Sequence, residues 1–277
     1  MDMHGKTALV TGATDGVGRY VALKLATAGA RVIVHGRDEA RANSLAEEIS
    51  RIGQGSVAIH IADLSSLAEV RRFADVVAAS EPGLDLLLNN AGVGSQNGGP
   101  QRQTSVDGHE LRFAVNYLSH FLLSYRLLPL LKSRSRSRIV NVASLGQSPI
   151  DFDDVMLEKR YDGSRAYGQS KLSQIMFTVD LAKELEPSVI TVNALHPATY
   201  MNTTMVRAAG TTPMSTVEQG GDAILRLATA ADVSETTGRF FNGLSKATPH
   251  SQAADDGARA QLRALSLELV GLTPNSP

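Results

Sequence analysis

Short apolar runs rich in Val and Ile alternate along this chain with longer segments whose apolar residues recur at helical spacing. The first strand is predicted at Lys6–Val10, and the helix that follows at Val17–Ala28 ends at Gly29. The further predicted strands are Arg31–His35, Val57–Ile61, Leu84–Leu88, Arg138–Val142, Val189–Leu195 and Arg239–Phe241, and the further predicted helices are Glu39–Ile52, Leu67–Ala79, Glu110–Lys132 and Arg165–Leu185. Such buried strands separated by helices predict an α/β fold, a doubly wound parallel sheet of about seven strands with helices on both faces.

The whole chain, residues 1–277, is expected to form one domain. No linker-like change in composition occurs before residue 196, and no segment repeats at a fixed period. The stretch Pro197–Pro213 is the exception, because it is long, polar and rich in small residues. We predict a substrate lid near residues 197–214.

The bulk composition excludes several classes of function. A net charge of −1 gives no general attraction to nucleic acid or to a membrane. The absence of cysteine excludes disulfides and thiolate metal sites, and the scattered histidines show no ligand spacing, so no metal site is predicted. No apolar run approaches the roughly 18 residues that a membrane span needs, and no secretory segment precedes the first strand, so we expect a cytoplasmic protein.

A glycine-rich turn, Thr11–Gly18, joins the first strand to the first helix. Glycines bring backbone N–H groups close to a ligand, and the helix N-terminus favours an anion such as a pyrophosphate. The spacing is G-x-x-x-G-x-G rather than the usual G-x-G-x-x-G of dinucleotide sites, and a tight turn without a ligand is the alternative. The position after the first strand of an alternating chain favours a dinucleotide.

This turn resembles the Thr-Gly-x-x-x-Gly-x-Gly loop of the short-chain dehydrogenase/reductase family. Four more family features follow in order, namely Asp63-Leu64, Asn89-Asn90-Ala91-Gly92, Asn116 in a Val-Asn-Tyr-Leu-Ser-His-Phe stretch, and Ser144 followed by Tyr167-x-x-x-Lys171. The His196-Pro197 pair, the Tyr-x-Gln-Ser-Lys-Leu context of Tyr167 and the Leu262–Leu272 pattern most resemble the retinol-dehydrogenase-like branch, although Ala198 stands where relatives usually have glycine. The resemblance implies a Rossmann-like fold, catalytic roles for Asn116, Ser144, Tyr167 and Lys171, and cofactor contacts from Gly12, Thr14, Asp15, Gly16, Val17, Gly18, Arg37, Asp63, Leu64, Asn90, Ala91, Gly92, Tyr167, Lys171, Pro197 and Thr199.

Tyr167 and Lys171 suit the proton chemistry of carbonyl–alcohol interconversion. Residues four apart share a helical face, and a lysine cation would lower the pKa of the tyrosine from its ordinary value near 10. Ser144 would polarise the substrate oxygen, and Asn116 would help position a water that relays protons through the lysine. Spacing alone is weak evidence, because Tyr20 and Lys24 repeat it inside the first helix, where Tyr20 is expected to pack and Lys24 to be a solvated charge.

The end of the second strand bears on which nicotinamide cofactor binds. Gly36 stands where NAD-binding proteins place an acidic residue, and the following Arg37 could pair with a 2′-phosphate, which favours NADP(H) over NAD(H). Two acidic residues keep NAD(H) open: Asp15 in the glycine loop, and Asp38 if the strand ends later.

The function predicted from these features is an NADP(H)-dependent oxidoreductase that acts on a small, hydrophobic carbonyl or alcohol. A catalytically silent dinucleotide sensor or scaffold is one alternative, and a nonredox cyclase or dehydratase on the same fold is another. Substrate specificity is expected from the segments Gly94–Thr104, Gln147–Tyr161 and Thr199–Pro213. The helices predicted at Glu110–Lys132 and Arg165–Leu185 resemble those that pair in relatives, so a homodimer or homotetramer is possible.

Overall fold

One eight-stranded sheet forms the centre of the computed structural model, which describes residues 1–96, 101–185 and 190–273. The strand order is β3-β2-β1-β4-β5-β6-β7-β8. The strands are β1 (Thr7–Val10), β2 (Arg31–Gly36), β3 (Ser56–Ile61), β4 (Leu86–Asn89), β5 (Ser137–Val142), β6 (Ile190–His196), β7 (Arg239–Asn242) and β8 (Ser245–Ala247). The predicted doubly wound parallel sheet is confirmed, and Val189, predicted to begin β6, lies outside the described residues.

The eighth strand differs in direction from the others. β8 pairs with β7 in antiparallel fashion, whereas every other neighbouring pair is parallel. Its sequence Ser-Lys-Ala is short, polar and largely exposed, so it carries no apolar signal by which a strand could be predicted. It is held to β7 by a tight turn and backbone pairing.

The helices cover both faces of the sheet. They are α1 (Gly16–Thr27), α2 (Glu39–Ile52), α3 (Leu67–Ser80), α4 (Ser119–Lys132), α5 (Gly163–Glu184), α6 (Thr204–Ala208), α7 (Val217–Thr229) and α8 (Asp256–Leu269). The first five match the predicted helices, except that α4 begins later than expected. No element was predicted for the segments that form α6, α7 and α8.

Side chains alternate between two apolar cores along each central strand, as the pleat requires. In β1, Leu9 belongs to the core under α3, α4, α5 and α8, while Ala8 and Val10 belong to the core under α1, α2 and α7. β2 repeats the pattern, with Ile33 in the first core and Val32 and Val34 in the second. Burial on both faces explains why these strands are continuously apolar.

A π-helical segment, Phe113–Leu118, precedes α4 and replaces the start of the regular helix predicted there. Within it, the Asn116 side chain bonds both backbone groups of Val93, accepting from N at 2.7 Å and donating to O at 3.1 Å. His120, one turn on, places Nδ1 3.0 Å from the Asn116 carbonyl O. The wider turn thus presents Asn116 to the loop after β4, a tertiary contact that periodicity does not reveal.

The C-terminal helix α8 packs against α5 and is tied to it by ion pairs. Arg259 Nε donates to Asp180 at 2.6 Å, and Arg263 bonds Glu184 at 3.2 Å. Tyr117 and Ser266 share a buried hydrogen bond of 2.7 Å between their hydroxyls. Among the helices of the described residues, none has the length and apolar character to cross a membrane.

Candidate active site

A cavity of about 1100 Å³ opens at the carboxyl ends of the strands, where the loops after β1 and β4 diverge. These two strands lie side by side, but the chain winds outward from them in opposite directions, which creates a crevice at this point of an α/β sheet. Every predicted cofactor residue lines the cavity, and so do Ser144, Tyr167 and Lys171. Asn116 is the one predicted site residue that does not line it.

The glycine loop is held in place by close backbone packing. A side chain at Gly18 would collide with the Gly12 carbonyl and with the Asn90 amide, so only glycine allows this approach. The Thr11 hydroxyl accepts from the backbone N of Asn90 and Ala91 at 2.9 and 3.0 Å. These bonds join the loop after β1 to the loop after β4 on opposite walls of the crevice.

His35, at the end of β2, also holds the glycine loop. Its Nδ1 accepts from the Gly12 backbone N at 3.2 Å, and its Nε2 lies 3.1 Å from the Ala62 carbonyl O. These two partners require the neutral tautomer with the proton on Nε2. Burial lowers the pKa of His35 to about 4, so the ring is neutral at physiological pH.

Opposite charges meet beside the end of β2. Arg41 Nη1 lies 3.2 Å from an Asp15 oxygen, and its Nε lies 3.4 Å from Asp38. Asp38 is the N-cap of α2 and accepts from the Arg41 backbone N at 3.0 Å. Arg37 is exposed at the cavity edge, and its guanidinium has no ion-pair partner among residues 1–96, 101–185 and 190–273. A side chain at Gly36 would collide with Thr14, so this glycine serves packing as well.

Ser144 and Tyr167 meet at the other end of the cavity. A Cβ placed on Gly146 would lie 3.5 Å from Ser144 Oγ and 3.7 Å from Tyr167 Cε1, so the two side chains are neighbours, and the Ser144 hydroxyl acts to lower the pKa of Tyr167. Burial outweighs it and raises that pKa above its ordinary value. The protein atoms by themselves therefore keep Tyr167 in the phenol form, and the lowering by Lys171 and oxidised nicotinamide stays a prediction. Ser144 Oγ also accepts from the Gly146 backbone N at 3.0 Å.

Lys171 lies one turn along α5 and is buried. Its Nζ is 5.7 Å from the centre of the Tyr167 ring, and it donates to the Val142 carbonyl O at 2.8 Å and to Gln174 Oε1 at 2.9 Å. Burial lowers the pKa of Lys171 to about 7. The amino group can therefore gain and lose a proton near neutral pH.

Asn116 acts behind the cavity wall rather than on its surface. Besides its bonds to Val93, its Nδ2 donates to Ser170 Oγ at 2.9 Å, and Ser170 Oγ donates to the Tyr167 carbonyl O at 2.7 Å. The side chain thus links the loop after β4 to the helix that carries Tyr167 and Lys171. Any direct relay role would fall to its backbone carbonyl, which the His120 ring contacts.

Comparison with known proteins agrees with this arrangement. The family model for short chain dehydrogenases matches residues 6–213. Human retinol dehydrogenase 14 is 37% identical over 299 residues, with 98% of this chain and 88% of the relative covered.

The chain belongs to the short-chain dehydrogenase/reductase family, in its retinol-dehydrogenase-like branch. As a member, it is an NAD(P)-dependent oxidoreductase that acts on CH–OH or C=O groups.

Two solved structures resemble this family member over most of its length. An uncharacterised protein from Mycobacterium paratuberculosis superposes with a TM-score of 0.79 at 29% identity, covering 100% of this chain and 96% of that one. The Pseudomonas aeruginosa RhlG/NADP active-site complex gives a TM-score of 0.69 at 30% identity, covering 87% and 95%.

The segment of this dehydrogenase that was predicted to form a lid, residues 197–214, contacts the glycine loop. Thr204 Oγ1 donates to Asp15 at 3.2 Å, and Thr203 caps the short helix α6 inside this segment. Ala198 does not take a positive φ, although relatives have glycine there; the positive φ falls instead at Tyr200, at 43°. The chain therefore enters this segment by a path that an L-residue at position 198 permits.

The second Tyr-x-x-x-Lys pair lies away from the cavity, as expected. Tyr20 donates to Asp222 at 2.9 Å, and the Lys24 amino group lies 5.3 Å from its ring centre. Burial and this carboxylate raise the pKa of Tyr20 to about 12. The described ranges contain no group of three or more His, Asp or Glu side chains placed to hold a metal ion.

Four site residues were not predicted from the sequence: His35, Arg41, His120 and Gln174. Arg41 lies in the first turn of the predicted helix Glu39–Ile52, a few residues after Arg37, and this nearness in sequence could have identified it. The other three are buried polar side chains in apolar segments, and their contacts come from distant parts of the chain. Residues 97–100 of the predicted specificity segment Gly94–Thr104 lie outside the described residues.

Proposed function

We propose that this single-domain chain is an NADP(H)-dependent oxidoreductase that interconverts a hydrophobic carbonyl and its alcohol, with Tyr167 as general acid and base. The observation that carries the proposal is that Ser144 and Tyr167 line one cavity, with the buried Lys171 one helical turn from Tyr167. Together these groups place a hydrogen-bond donor, a proton source and a titrating amine at one cavity.

The chemistry of each side chain follows from its surroundings. The bound nicotinamide supplies a hydride to the carbonyl carbon, or accepts one from the alcohol. In reduction, Ser144 donates a hydrogen bond to the substrate oxygen, and Tyr167 delivers its phenolic proton there. The raised pKa of Tyr167 keeps the phenol protonated before this transfer. Lys171 then assists its return, while Asn116 positions the loop and the helix on either side.

The cavity residues fit a dinucleotide. The close approach at Gly18 exposes the N-terminus of α1, where a pyrophosphate would gain from backbone N–H groups and from the helix dipole. Asp15 opposes an anion there, but Arg41 offsets its charge. The residues that would hold the cofactor are those predicted from the sequence, with Arg41 and His35 in addition.

Three observations favour NADP(H) over NAD(H). The Arg37 guanidinium is exposed at the cavity edge and free of ion pairs within the described residues. Asp38 is used as a helix cap, so it is less available to a ribose hydroxyl. The similar RhlG was solved with NADP.

Dissociation constants measured by fluorescence titration test this preference. NADPH should bind more tightly than NADH, and Arg37→Met should weaken NADPH binding about tenfold or more while leaving NADH within twofold, since a charge-assisted bond is worth roughly 1.5–3 kcal/mol. Arg51→Met, in the last turn of α2, is the matched control and should change neither constant. Tighter binding of NADH by the unmodified protein would reverse the proposal.

Part of the cavity lining is apolar. Val93, Leu145, Met205 and Val206 contribute to it, and Leu145 and Met205 are exposed to solvent. Polyene and long-chain alcohols and aldehydes fit such a surface, and the relatives include retinol dehydrogenases. We therefore place these compounds first in a substrate panel.

Turnover is tested by following NADPH oxidation over a panel of apolar aldehydes and ketones. Tyr167→Phe should lose at least about two orders of magnitude in kcat and still bind NADPH, because only the proton donor is removed. Tyr20→Phe is the control and should keep full activity. Near-normal turnover by Tyr167→Phe would refute the assignment, product without net NADPH oxidation would indicate a nonredox reaction, and binding without any turnover would indicate a silent sensor.

A further inference from the structure

The Lys171 ammonium donates hydrogen bonds to two neutral oxygens. Its Nζ donates to the Val142 carbonyl O at 2.8 Å and to Gln174 Oε1 at 2.9 Å. In the parts of the chain that the structure describes, no carboxylate forms an ion pair with it. A buried cation without a counter-ion depends on such dipoles to remain charged and to remain in position.

Gln174 is itself fixed by burial and by its partners. It lies three residues beyond Lys171 on α5 and is 1% exposed. An ammonium only donates, so the amide oxygen must face Lys171 and the amide nitrogen must point away. That nitrogen lies 3.5 Å from His120 Nδ1. The orientation of the side chain is therefore set by chemistry on one side and by packing on the other.

His120, the neighbour of that nitrogen, adds no charge and accepts no hydrogen bond from it. Burial lowers its pKa to about 3, so the ring is neutral. Its Nδ1 lies 3.0 Å from the Asn116 carbonyl O, a contact that requires the proton on Nδ1. Nε2 then accepts from the Thr11 hydroxyl at 3.1 Å. Since Thr11 also bonds the backbone of the loop after β4, the chain of contacts runs from the lysine to the cofactor crevice.

The other titratable groups around Lys171 do not provide it with a counter-ion. The Tyr167 ring faces it from the same helix, and His196 approaches from β6. The pKa of His196 is lowered, mainly by burial and then by the charge of Lys171, so it adds no cation at neutral pH. Gln174 is therefore the one side chain that offers Lys171 a directed acceptor among the described residues.

We propose that Gln174 is a positioning residue for Lys171, whose amide oxygen holds the ammonium against the cavity wall and so sets its place and its charge. The proposal rests on the proposed function in one respect, because the place and charge of Lys171 affect turnover only through the proton chemistry of Tyr167. A purely structural glutamine would only fill space and satisfy its own polar atoms.

The test titrates Lys171 in the protein without cofactor or substrate. Lysine labelled with ¹³C at Cε is observed by NMR, and the Lys171 resonance is identified by its loss in Lys171→Met. Gln174→Glu should raise the titration midpoint by about one pH unit or more, because a carboxylate stabilises the ammonium. Gln174→Leu should lower it by about half a unit or more, because an acceptor is lost.

Ser173→Ala is the matched control, since Ser173 is the buried neighbour on α5 and its hydroxyl bonds the Gln169 carbonyl O. Its midpoint should equal that of the unmodified protein. Midpoints within about 0.2 unit of the unmodified protein in both Gln174 variants would overturn the proposal. If Gln174→Leu does not fold, the isosteric Gln174→Glu decides alone.

The pH profile of kcat separates this proposal from the proposed function. The profile should shift in the same direction as the Lys171 midpoint, with KM for NADPH changed less than twofold. If the Lys171 midpoint moves and the pH profile of kcat stays fixed, Gln174 affects the charge of Lys171 but not catalysis. That result would overturn the positioning role. If no turnover exists, the proposed function fails, and the titration still shows whether Gln174 sets the charge of Lys171.

Discussion

Arg112 should be among the most important residues for stability, although no sequence motif marks it. Its side chain is fully buried. The guanidinium donates to the carbonyl O of Gly94 at 3.1 Å and of Ser95 at 2.9 Å, and it pairs with Glu110 at 3.3 Å. It therefore anchors the start of the loop after β4, which lines the cavity.

The cost of Arg112→Met follows from what it leaves behind. Glu110 is 1% exposed and would keep its bonds from the Phe113 backbone N at 2.8 Å and from the Tyr161 hydroxyl at 3.4 Å, but would lose its cation. Removing one partner of a buried pair costs about 3–5 kcal/mol, because the remaining charge is uncompensated. Replacing both partners, with Arg112→Met and Glu110→Gln, should recover about 2 kcal/mol of that loss, since no bare charge remains.

Urea unfolding followed by circular dichroism measures both variants. Arg126→Met is the control, because Arg126 pairs with Asp75 at the surface and such pairs contribute about 0–1 kcal/mol. A loss below about 1 kcal/mol for Arg112→Met, or a double variant less stable than the single one, would refute the reasoning.

Three further predictions follow from the structure. Lys171→Met should stabilise the cofactor-free protein most below pH 7 and progressively less toward pH 10.5, because the folded pKa is about 7 and the unfolded chain keeps its proton up to 10.5; a gain independent of pH in urea unfolding would contradict this. His35→Gln should have a lower free energy of unfolding than the parent at neutral pH, and this difference should shrink as the pH falls from 6.5 toward 4. The reason is that the native His35 ring resists the proton that the unfolded chain accepts over that range. A difference that does not change with pH would refute this prediction. Light scattering should give the monomer mass of 29.4 kDa rather than a dimer or tetramer, since none of the large exposed hydrophobic side chains in the described ranges lies on α4 or α5; a dimer mass would show that these helices pair by polar contacts.

Prediction from the sequence succeeded where local pattern and chemistry coincide. The helix predicted at Glu39–Ile52 has those same bounds in the structure, because Asp38 caps its start and Gly53 ends it in a left-handed conformation. Most predicted site residues meet in one cavity because they follow parallel strands, whose carboxyl ends share one edge of the sheet. Their catalytic roles remain predictions.

Prediction was incomplete where distant segments decide the structure. The π-helical turn at Phe113–Leu118 depends on contacts between Asn116 and both Val93 and Ser170. β8 depends on pairing with β7, since its own sequence is polar. Neither contact leaves a periodic signal in the chain.

The α/β sheet, the family and the position of Tyr167 and Lys171 on one helical face could all be predicted from the sequence. Apolar period, capping residues and glycine turns are local, so they can be recognised without coordinates. The hydrogen bond from Lys171 to Gln174 and the place of Asn116 behind the cavity wall became evident only from the folded chain. Burial and directed hydrogen bonds arise between elements far apart in the chain, and these determine the charge of each group.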